Sequence, residues 1–540
     1  MISKIYIENY RSIERLTMCP QKLCAIIGPN SSGKTNVLKA LDTMLGEIYP
    51  TERAFSKDDF YKRDVNKIIT IQIWFSEPLR PCKLTPKGAT LKESCQAISL
   101  KLTHTKNKDV YFRTTFTAIN SDGKEFYGSG EVRDQMNFIY ISSERHLDKQ
   151  MSVTQWSILG KILQKIDENF RKKDDVEEYS ELEEDFRTAM DEPRRILESE
   201  FPDGLSYKRF KEVFTTICKE NTEGLANSFN LDLQIYDPLF YYKTIQLIGK
   251  EEFGDFNVHE LGSGVQNLVL LALFRTYARL MKNQAILAIE EPEIYLYPQA
   301  QRQLFKSFIE ISNAFEGEGT QIFYTTHNPN FIDVTRANEI EILQKDSKHG
   351  TKSLPKNPLL TAMPVEKFKA YTHFNTERNE LFFAKKVILV EGDSDKIMWT
   401  TLLEEKWKIA VDKEGISIIE CGGKLGVLYF IGVCRLMSIE YFSIWDEDDG
   451  CDSIIDSHNL FPVTIAEGRG LQVEGNLEMF LRNKFPEEKY PQFSFSQSNK
   501  VENAFTWASE IDVESIPEEF RVVQNFAFPN STDKQKELSV

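Results

Sequence analysis

The sequence predicts an α/β fold with two parallel sheets, and three observations lead to this prediction. Residues 28–35, GPNSSGKT, stand between a short apolar run and a stretch typical of a helix. A second apolar run ends in adjacent carboxylates at residue 290. Farther along, two more apolar runs end in acidic residues near 391 and 446. Strands buried on both faces of a parallel sheet read as continuous apolar runs, so each run is interpreted as such a strand.

Length and composition indicate a multidomain globular protein. A chain of 540 residues is longer than a single hydrophobic core ordinarily supports, so two or three domains are expected. The sequence is 41% hydrophobic and 27% charged, lacks a signal peptide and has no apolar run of about 18 residues, so we expect a cytoplasmic protein without a membrane span. The eight cysteines contain no CxxC pair, which favours reduced thiols. A net charge of −16 argues against broad nonspecific binding to polyanions, although basic patches or metal ions still allow a nucleic-acid substrate.

Residues 28–35 match the P-loop pattern of Gly, four free positions, Gly-Lys and Ser or Thr. A strand is predicted before the loop at 23–27, and a helix is predicted to begin at 36–41. Lys34 is expected to reach the β- and γ-phosphates of ATP, and the Thr35 hydroxyl to hold Mg²⁺. The alternative is a glycine turn without a ligand, and the flanking strand and helix favour the ATP site. The candidate ATP-binding residues of the loop are Asn30, Ser31, Ser32, Gly33, Lys34 and Thr35.

The rest of the first 250 residues divides into a strand-rich part and a charged part. Residues 2–18 predict two strands joined by a turn, and four more strands are predicted at 68–75, 96–103, 110–117 and 138–142. From 153 to 253 the chain is charged, with apolar residues at helical spacing, which predicts a helical insertion. Its apolar stripes would pack either on a partner subunit or on each other.

Three further motifs follow in the next 80 residues. Ser263 and Gly264 precede an apolar helix predicted at 268–280, where an ordinary N-capped helix is the alternative. A buried strand then ends at Glu290 and Glu291, which supply the carboxylates that Mg²⁺ and an attacking water require. A third strand, at 321–326, ends at His327, which either contacts phosphate or is structural.

The C-terminal part contains a second acidic set. Residues 345–356 are polar and predict a loop or linker, after which a strand ends at Glu391 and leads into a helix whose first turn carries Asp395. A strand at 416–420 and another at 441–445 follow, the latter ending at Asp446-Glu447-Asp448. Because side chains two apart in a strand share a face, Asp446 and Asp448 are expected to point the same way. Because the carboxyl ends of parallel strands meet at one edge, these oxygen ligands predict a site for Mg²⁺ or Mn²⁺. Two further candidates, each with a structural alternative, are Glu478 at a helix start and Lys500 as a cation for a scissile phosphate.

The order of the first four motifs resembles the RecF/SMC-like branch of the ABC ATPases. The resemblance implies that Glu290 holds magnesium where an Asp is usual, that Glu291 polarises the attacking water and that His327 contacts the γ-phosphate. It also implies that Ser263 and Gly264 contact the γ-phosphate of a neighbouring subunit's ATP, so a complete site needs a homodimer or a larger assembly. This sequence departs from the pattern at Tyr297, where relatives often have His.

The second acidic set resembles a Toprim domain, through Glu391-Gly392 followed by Asp446-Glu447-Asp448. An ABC-type ATPase with a C-terminal Toprim domain is the layout of the OLD (overcoming lysogenization defect) family nucleases, and residues 375–383 are similar to the join in that family. The resemblance implies metal-dependent DNA cleavage controlled by ATP, commonly in antiphage defence beside a helicase-like partner (Gabija) or a reverse transcriptase (retrons). It further implies two metals bound at Glu391, Asp395, Asp446, Asp448 and Glu478, with Lys500 supporting the transition state.

These observations predict five segments: an ATPase lobe at 1–152, the insertion at 153–253, a second lobe at 254–344, a linker at 345–384 and a Toprim domain with a tail at 385–540. Two functional hypotheses follow. The first is an ATP-regulated DNA endonuclease that nicks or cuts both strands. The second is an SMC-like DNA-binding ATPase whose Toprim-like domain is a non-catalytic scaffold. The complete acidic set favours the first, but the sequence leaves open which DNA feature is cut and the sign of the ATP effect.

Overall fold

The computed structural model divides the chain into two compact units, Met1–Ser143 with Lys282–Val540, and Glu144–Met281. The described residues are 1–46, 49–84, 91–104, 112–127, 132–133, 135–143, 285–313, 320–346, 348–355, 375, 377–447, 469–495, 498–529 and scattered positions between 157 and 276. The strands, in chain order, are β1 Ile2–Tyr10, β2 Ile13–Met18, β3 Leu23–Ile27, β4 Ile69–Phe75, β5 Cys82–Leu84, β6 Leu91–Glu93, β7 Ala97–His104, β8 Phe112–Ile119, β9 Glu125–Tyr127, β10 Asn137–Ile141, β11 Ile248–Glu251, β12 Gly254–Asn257, β13 Ala285–Glu290, β14 Gln321–Thr325, β15 Ile340–Asp346, β16 Gly350–Ser353, β17 Lys386–Val390, β18 Ile416–Glu420, β19 Glu440–Asp446 and β20 Gly470–Val473. The α-helices of the described residues are α1 Lys34–Leu45, α2 Pro298–Asn313, α3 Asp393–Thr401, α4 Val411–Glu414, α5 Lys424–Leu436, α6 Leu477–Lys484, α7 Lys500–Glu510 and α8 Arg521–Ala527.

A twelve-stranded sheet carries the nucleotide motifs, in the order β10-β13-β14-β3-β15-β16-β2-β1-β4-β7-β8-β9. The run from β10 to β15 is parallel, and β3, β13 and β14 are buried along their whole length. The strands from β16 to β9 are antiparallel to their neighbours. The sheet is therefore mixed rather than purely parallel, because the N-terminal hairpin β1–β2 joins it through β16. The strand predictions at 2–18, 23–27 and 68–75 are confirmed within one or two residues.

The prediction of a loop at 345–356 is wrong. These residues contain the end of β15, a turn at Gly350 with φ +71°, and β16. β16 pairs with β15 and with the N-terminal strand β2, so it connects the parallel and antiparallel parts of the sheet. Its polar side chains do not indicate exposure, since Thr351 is fully buried.

The second sheet contains four parallel strands in the order β18-β17-β19-β20. Its apolar core includes Trp399, Trp507 and Phe520, with the Trp399 and Phe520 ring centroids 4.7 Å apart. The predicted strand at 416–420 is confirmed as β18. β19 ends at Asp446, and Asp448, which was predicted to share a face with Asp446, lies outside the described residues.

In the smaller unit, β11 and β12 form an antiparallel pair. Residues 248–251 of the predicted helical insertion are thus a strand, while most of 153–253 lies outside the described residues, as does Ser263. Gly264 is described, within a helical turn in which the Gly262 carbonyl accepts the N–H groups of Val265 and Gln266.

Two composition-based predictions can be compared with the structure. Cys19, Cys24, Cys95, Cys421 and Cys434 are thiols that form no disulfide, and all but Cys19 are buried. Among the residues that the structure describes, no helix has both the length and the apolar character needed to cross a bilayer.

Candidate active sites

The P-loop follows β3 and leads into α1 through a left-handed backbone at Gly28, Ser31 and Gly33. A Cβ added at Gly28 would stand 2.1 Å from the Leu343 carbonyl oxygen, and one at Gly33 would stand 2.2 Å from Thr351 Oγ1. Both positions therefore require glycine, for reasons of space as well as of backbone conformation. Asn30, Ser31 and Thr35 are exposed on this loop.

The loop is held from behind by β16 and by the β1–β2 turn. Thr351 Oγ1 donates a hydrogen bond to the Ser32 carbonyl at 2.8 Å, and Asn36 Nδ2 donates to Ser12 Oγ at 2.7 Å. The Ser32 hydroxyl is buried with no hydrogen-bond partner among the described residues. A buried polar atom without a partner costs stability, and a phosphate oxygen would satisfy it, so the loop fits a nucleotide.

Lys34 is the first residue of α1 and is only 6% exposed. Its Nζ donates to the carbonyl oxygens of Gly28 and Pro29, at 2.9 and 3.0 Å. Burial lowers the pKa of Lys34 to about 8, and the charges of Glu291 and Glu293 offset part of that effect. A phosphate would add negative charge, which raises the pKa of Lys34 again and stabilises its protonated form.

The two adjacent carboxylates at the end of β13 have different surroundings. Glu290 is 3% exposed, and its Oε2 accepts the backbone N–H of Ser143 at 3.0 Å. Glu291 is half-buried, and its N–H bonds to the Thr325 carbonyl at the end of the neighbouring strand β14. The buried carboxylate suits a metal ligand role, and the more open one suits contact with water.

His327 follows β14, with its Nε2 3.9 Å from Glu291 Oε1. Burial, followed by the charge of Lys34, lowers the pKa of His327 to about 4, so the ring is neutral near pH 7. The sequence reasoning missed Glu293, whose Oε1 accepts both the Thr326 hydroxyl at 2.7 Å and the His327 N–H at 3.0 Å. The only sequence signal for this role was its place as the third acid of the Glu-Glu-Pro-Glu run.

The second site lies at the carboxyl ends of β17 and β19. Glu391 follows β17, and its Oε1 accepts the backbone N–H of Asp446 at 2.7 Å. Asp395, in the first turn of α3, is 8% exposed and accepts the Gly392 N–H at 3.1 Å. Burial, followed by the charges of Glu391 and Glu478, raises the pKa of Asp395 to about 7 despite the Gly392 hydrogen bond.

A cation completes this second site. Lys500 Nζ, at the start of α7, lies 3.2 Å from Glu478 Oε1, in the first turn of α6. Pairwise interactions therefore connect five of the predicted residues: Glu391 with the Asp446 backbone, Asp395 with the charges of Glu391 and Glu478, and Glu478 with Lys500. A second cation, Lys424, was not identified from the sequence. Its Nζ donates a hydrogen bond to the Glu447 carbonyl at 3.1 Å.

The fit of a divalent ion to these carboxylates rests on their donor chemistry and on the burial of Asp395. All the side-chain donors are oxygens, which suits Mg²⁺ or Mn²⁺, and burial, followed by the charges of Glu391 and Glu478, raises the pKa of Asp395 and disfavours its charged form. Within the described part of the chain, no three His, Cys, Asp or Glu side chains form a ready-made metal cage. The donor chemistry fits a metal, while Asp448 lies outside the described residues.

Comparison with known proteins gives two family matches. A model of the AAA ATPase domain matches residues 1–126 and 83–332, which include the P-loop, Glu290, Glu291 and His327. A model of the TOPRIM domain of overcoming lysogenization defect protein-like proteins matches residues 382–448, which include Glu391, Asp395 and Asp446. The chain belongs to the AAA ATPase domain family and carries an OLD-like TOPRIM domain after it.

Named relatives of this chain are nucleases. The chain is 27% identical to the OLD nuclease of Thermus scotoductus, over 83% of this chain and 82% of the relative. It is 24% identical to Endonuclease GajA of Bacillus cereus, over 78% and 70%, and 21% identical to the Old nuclease of Escherichia phage P2, over 78% and 73%. The chain is thus a nuclease with an ATPase domain and a TOPRIM domain, and the metal and catalytic roles of its individual site residues stay predictions.

We expect Glu293→Ala to slow ATP hydrolysis about tenfold, because the His327 backbone and Thr326 lose their common acceptor. Glu293→Gln retains a side-chain oxygen at that position and should stay within about threefold of wild type. Steady-state phosphate release measures both rates. Equal rates for the two variants would contradict a positioning role for Glu293.

The raised pKa of Asp395 predicts a metal-dependent stability. Because the folded pKa, about 7, lies above the unfolded value of 3.8, the contribution of Asp395 to folding stability is full below pH 4 and is lost as the pH rises to 7. The loss is at most about 4 kcal/mol. In EDTA at pH 8, Asp395→Asn should therefore raise the melting temperature, and Mg²⁺ should stabilise wild type more than the variant.

Differential scanning calorimetry at pH 5 and pH 8 measures this effect. The matched control is Asp393→Asn, since Asp393 is an exposed carboxylate in the same first turn of α3. That change should lower stability slightly, through the helix dipole, at both pH values. A lower melting temperature for Asp395→Asn in EDTA at pH 8 would show that its charge is not unfavourable in the folded protein.

Proposed function

We propose that this chain is an ATP-regulated, divalent-metal-dependent DNA endonuclease that nicks or cuts both strands. The observation that carries the proposal is the convergence of Glu391, Asp395, Asp446 and Glu478 with Lys500 at the carboxyl edge of a parallel sheet. In folds of this type, ligands bind at that edge. The names of the nuclease relatives support DNA as the substrate.

The carboxylates of the second site would hold Mg²⁺ or Mn²⁺, the ligand set being Glu391, Asp395, Asp446, Asp448 and Glu478. A bound divalent ion would supply positive charge that activates an attacking water and stabilises the leaving oxygen. Glu391 additionally fixes the end of β19 through the Asp446 N–H. Lys500 would leave Glu478 for the scissile phosphate, whose negative charge is the stronger partner.

In the ATPase part, Lys34 and Ser32 would bind the phosphates, while Thr35 and Glu290 would hold the nucleotide's Mg²⁺. Glu291 would orient the attacking water, and the neutral His327 ring, 3.9 Å from Glu291, would contact the γ-phosphate. Ser263 and Gly264 would complete the site of a second copy, which makes the working form a homodimer or a larger homo-oligomer. Nucleotide occupancy would regulate cleavage.

The biological role that we propose is antiphage defence, with either a helicase-like or a reverse-transcriptase partner protein. The support is similarity to Endonuclease GajA and to the phage P2 Old nuclease, together with the join at 375–383. Infecting cells that carry the gene alone, and with its neighbouring genes, tests this role. Plaque counts that do not fall in either strain would contradict it.

Cleavage of supercoiled plasmid tests the biochemical proposal. The purified chain is incubated with Mg²⁺, Mn²⁺ or EDTA, each with and without ATP, and products are resolved as nicked or linear DNA. We expect cleavage with either metal, none in EDTA, and a rate that depends on ATP. ATP hydrolysis without cleavage in any metal would favour the scaffold hypothesis.

A further inference from the structure

The loop that carries His327 contacts the segment that leads into β17. This strand belongs to the four-stranded sheet β18-β17-β19-β20, which we call the TOPRIM sheet. We name residues 377–383 the coupling segment. Its Phe383 ring stacks on His327, with ring centroids 6.4 Å apart and planes at 29°. Two residues beyond His327, the Pro329 carbonyl accepts a hydrogen bond from Asn379 Nδ2 at 3.0 Å. One ring contact and one hydrogen bond thus join this segment to the tip of β14.

The other end of the coupling segment reaches the metal-site edge of the TOPRIM sheet. Arg378 Nη2 donates to Glu420 Oε2 at 2.6 Å, in an ion pair whose side chains are only 15% and 21% exposed. Glu420 Oε1 accepts the Gly422 N–H at 2.6 Å. The next residue, Gly423, donates its N–H to the Glu391 carbonyl at 2.8 Å. A short series of bonds therefore runs from Arg378 to the backbone of a predicted metal ligand.

Internal hydrogen bonds make the coupling segment a single rigid unit. Residues Arg378–Phe382 form a 3₁₀-helix, and the Phe383 N–H closes on the Glu380 carbonyl. Leu381 and Phe382 are fully buried, which anchors the helix. The chain then enters β17, which is paired on both sides and is followed directly by Glu391. A shift of Phe383 would reach Glu391 both along the strand and through Glu420, because packed elements transmit displacement rather than absorb it.

We propose that the coupling segment positions Glu391 according to what is bound beside His327, so that nucleotide at the P-loop sets the activity of the TOPRIM site. The predicted linker at 345–384 is thus, in its last residues, a connection between two active sites. This inference rests on the proposed function and adds the residues through which regulation acts. Asn379, Phe383 and Arg378 are positioning residues in it, since none belongs to either predicted ligand set.

The test compares wild type with Phe383→Leu, which keeps an apolar side chain but removes the aromatic ring. Hydrogen–deuterium exchange of the full chain is measured with and without a non-hydrolysable ATP analogue, at constant Mg²⁺, and plasmid cleavage is measured in the same buffers. In wild type we expect the analogue to change exchange at 416–423 and to change the cleavage rate at least about fivefold. In Phe383→Leu both effects should fall below about twofold.

The matched control is Glu380→Ala, on the exposed side of the same 3₁₀-helix, which should respond to the analogue as wild type does. Unchanged exchange at 416–423 in wild type, or an equal response in Phe383→Leu, would overturn the coupling. An exchange response lost in Phe383→Leu, without any plasmid cleavage, would support the coupling and defeat the nuclease proposal. Cleavage without an exchange response would do the reverse.

Discussion

Glu391→Gln and Asp446→Asn are each expected to reduce plasmid cleavage at least about a hundredfold while ATP hydrolysis stays within about threefold of wild type. Both residues stand at the carboxyl end of parallel strands, where Glu391 Oε1 also accepts the Asp446 N–H at 2.7 Å. The amide replacements keep side-chain size but remove a charge that a divalent ion requires. Gel quantification of nicked and linear plasmid measures the loss, with Mg²⁺ and with Mn²⁺.

The control for these variants is Glu474→Gln. Glu474 is an exposed carboxylate between β20 and α6, four residues before Glu478, so it carries the same chemical change near the site. Its cleavage rate should stay within about twofold of wild type. Cleavage that survives both Glu391→Gln and Asp446→Asn would mean that the active site lies elsewhere in the chain.

The second large effect is expected at Glu291. Glu291→Gln should reduce ATP hydrolysis by about 10²–10⁴-fold and leave ATP binding almost intact, because the amide keeps the shape but cannot accept a proton from water. Glu291 is the more open of the two carboxylates after β13, and His327 Nε2 lies 3.9 Å away. Phosphate release gives the hydrolysis rate, and fluorescence of a labelled nucleotide gives the binding constant.

Lys34→Ala provides the contrast, since it should remove binding as well as hydrolysis. The Lys34 amino group is buried against the Gly28 and Pro29 carbonyls, where a phosphate would meet it. If Glu291→Gln hydrolysed ATP at the wild-type rate, another group would have to activate the water. Cleavage assays on both variants would also give the sign of the ATP effect, because one is trapped with nucleotide and the other without it.

The parallel strands could be predicted from the sequence because each is a continuous apolar run with a sharp end. β3 and β18 occupy the predicted residues 23–27 and 416–420. The same reasoning placed Glu391 and Asp446 at one edge, since parallel strands share their direction. For the metal and catalytic roles of these residues the predictions stand untested, and Asp448 and Ser263 lie outside the described residues.

Two features that the sequence did not predict, at Thr351 and Glu293, have a common physical cause. Each side chain forms a hydrogen bond with a partner that is distant in the sequence. Thr351 looks like a loop residue, yet it is buried because its hydroxyl bonds to the Ser32 carbonyl. Glu293 looks like one more acid in a turn, yet it accepts the His327 N–H beyond the next strand. Local composition cannot reveal such pairs, because the partner that makes burial favourable is absent from the window being read.

The bond from Thr351 to Ser32 spans 319 positions, and so does the bond between the Ile2 N–H and the Gln321 side chain. During synthesis the P-loop leaves the ribosome long before Gln321 and Thr351 do. At roughly 5–20 residues per second, the loop waits tens of seconds for the strand that supports it. Nascent chains that stop before residue 351 should consequently bind ATP poorly, so the ability to bind nucleotide is acquired late in translation.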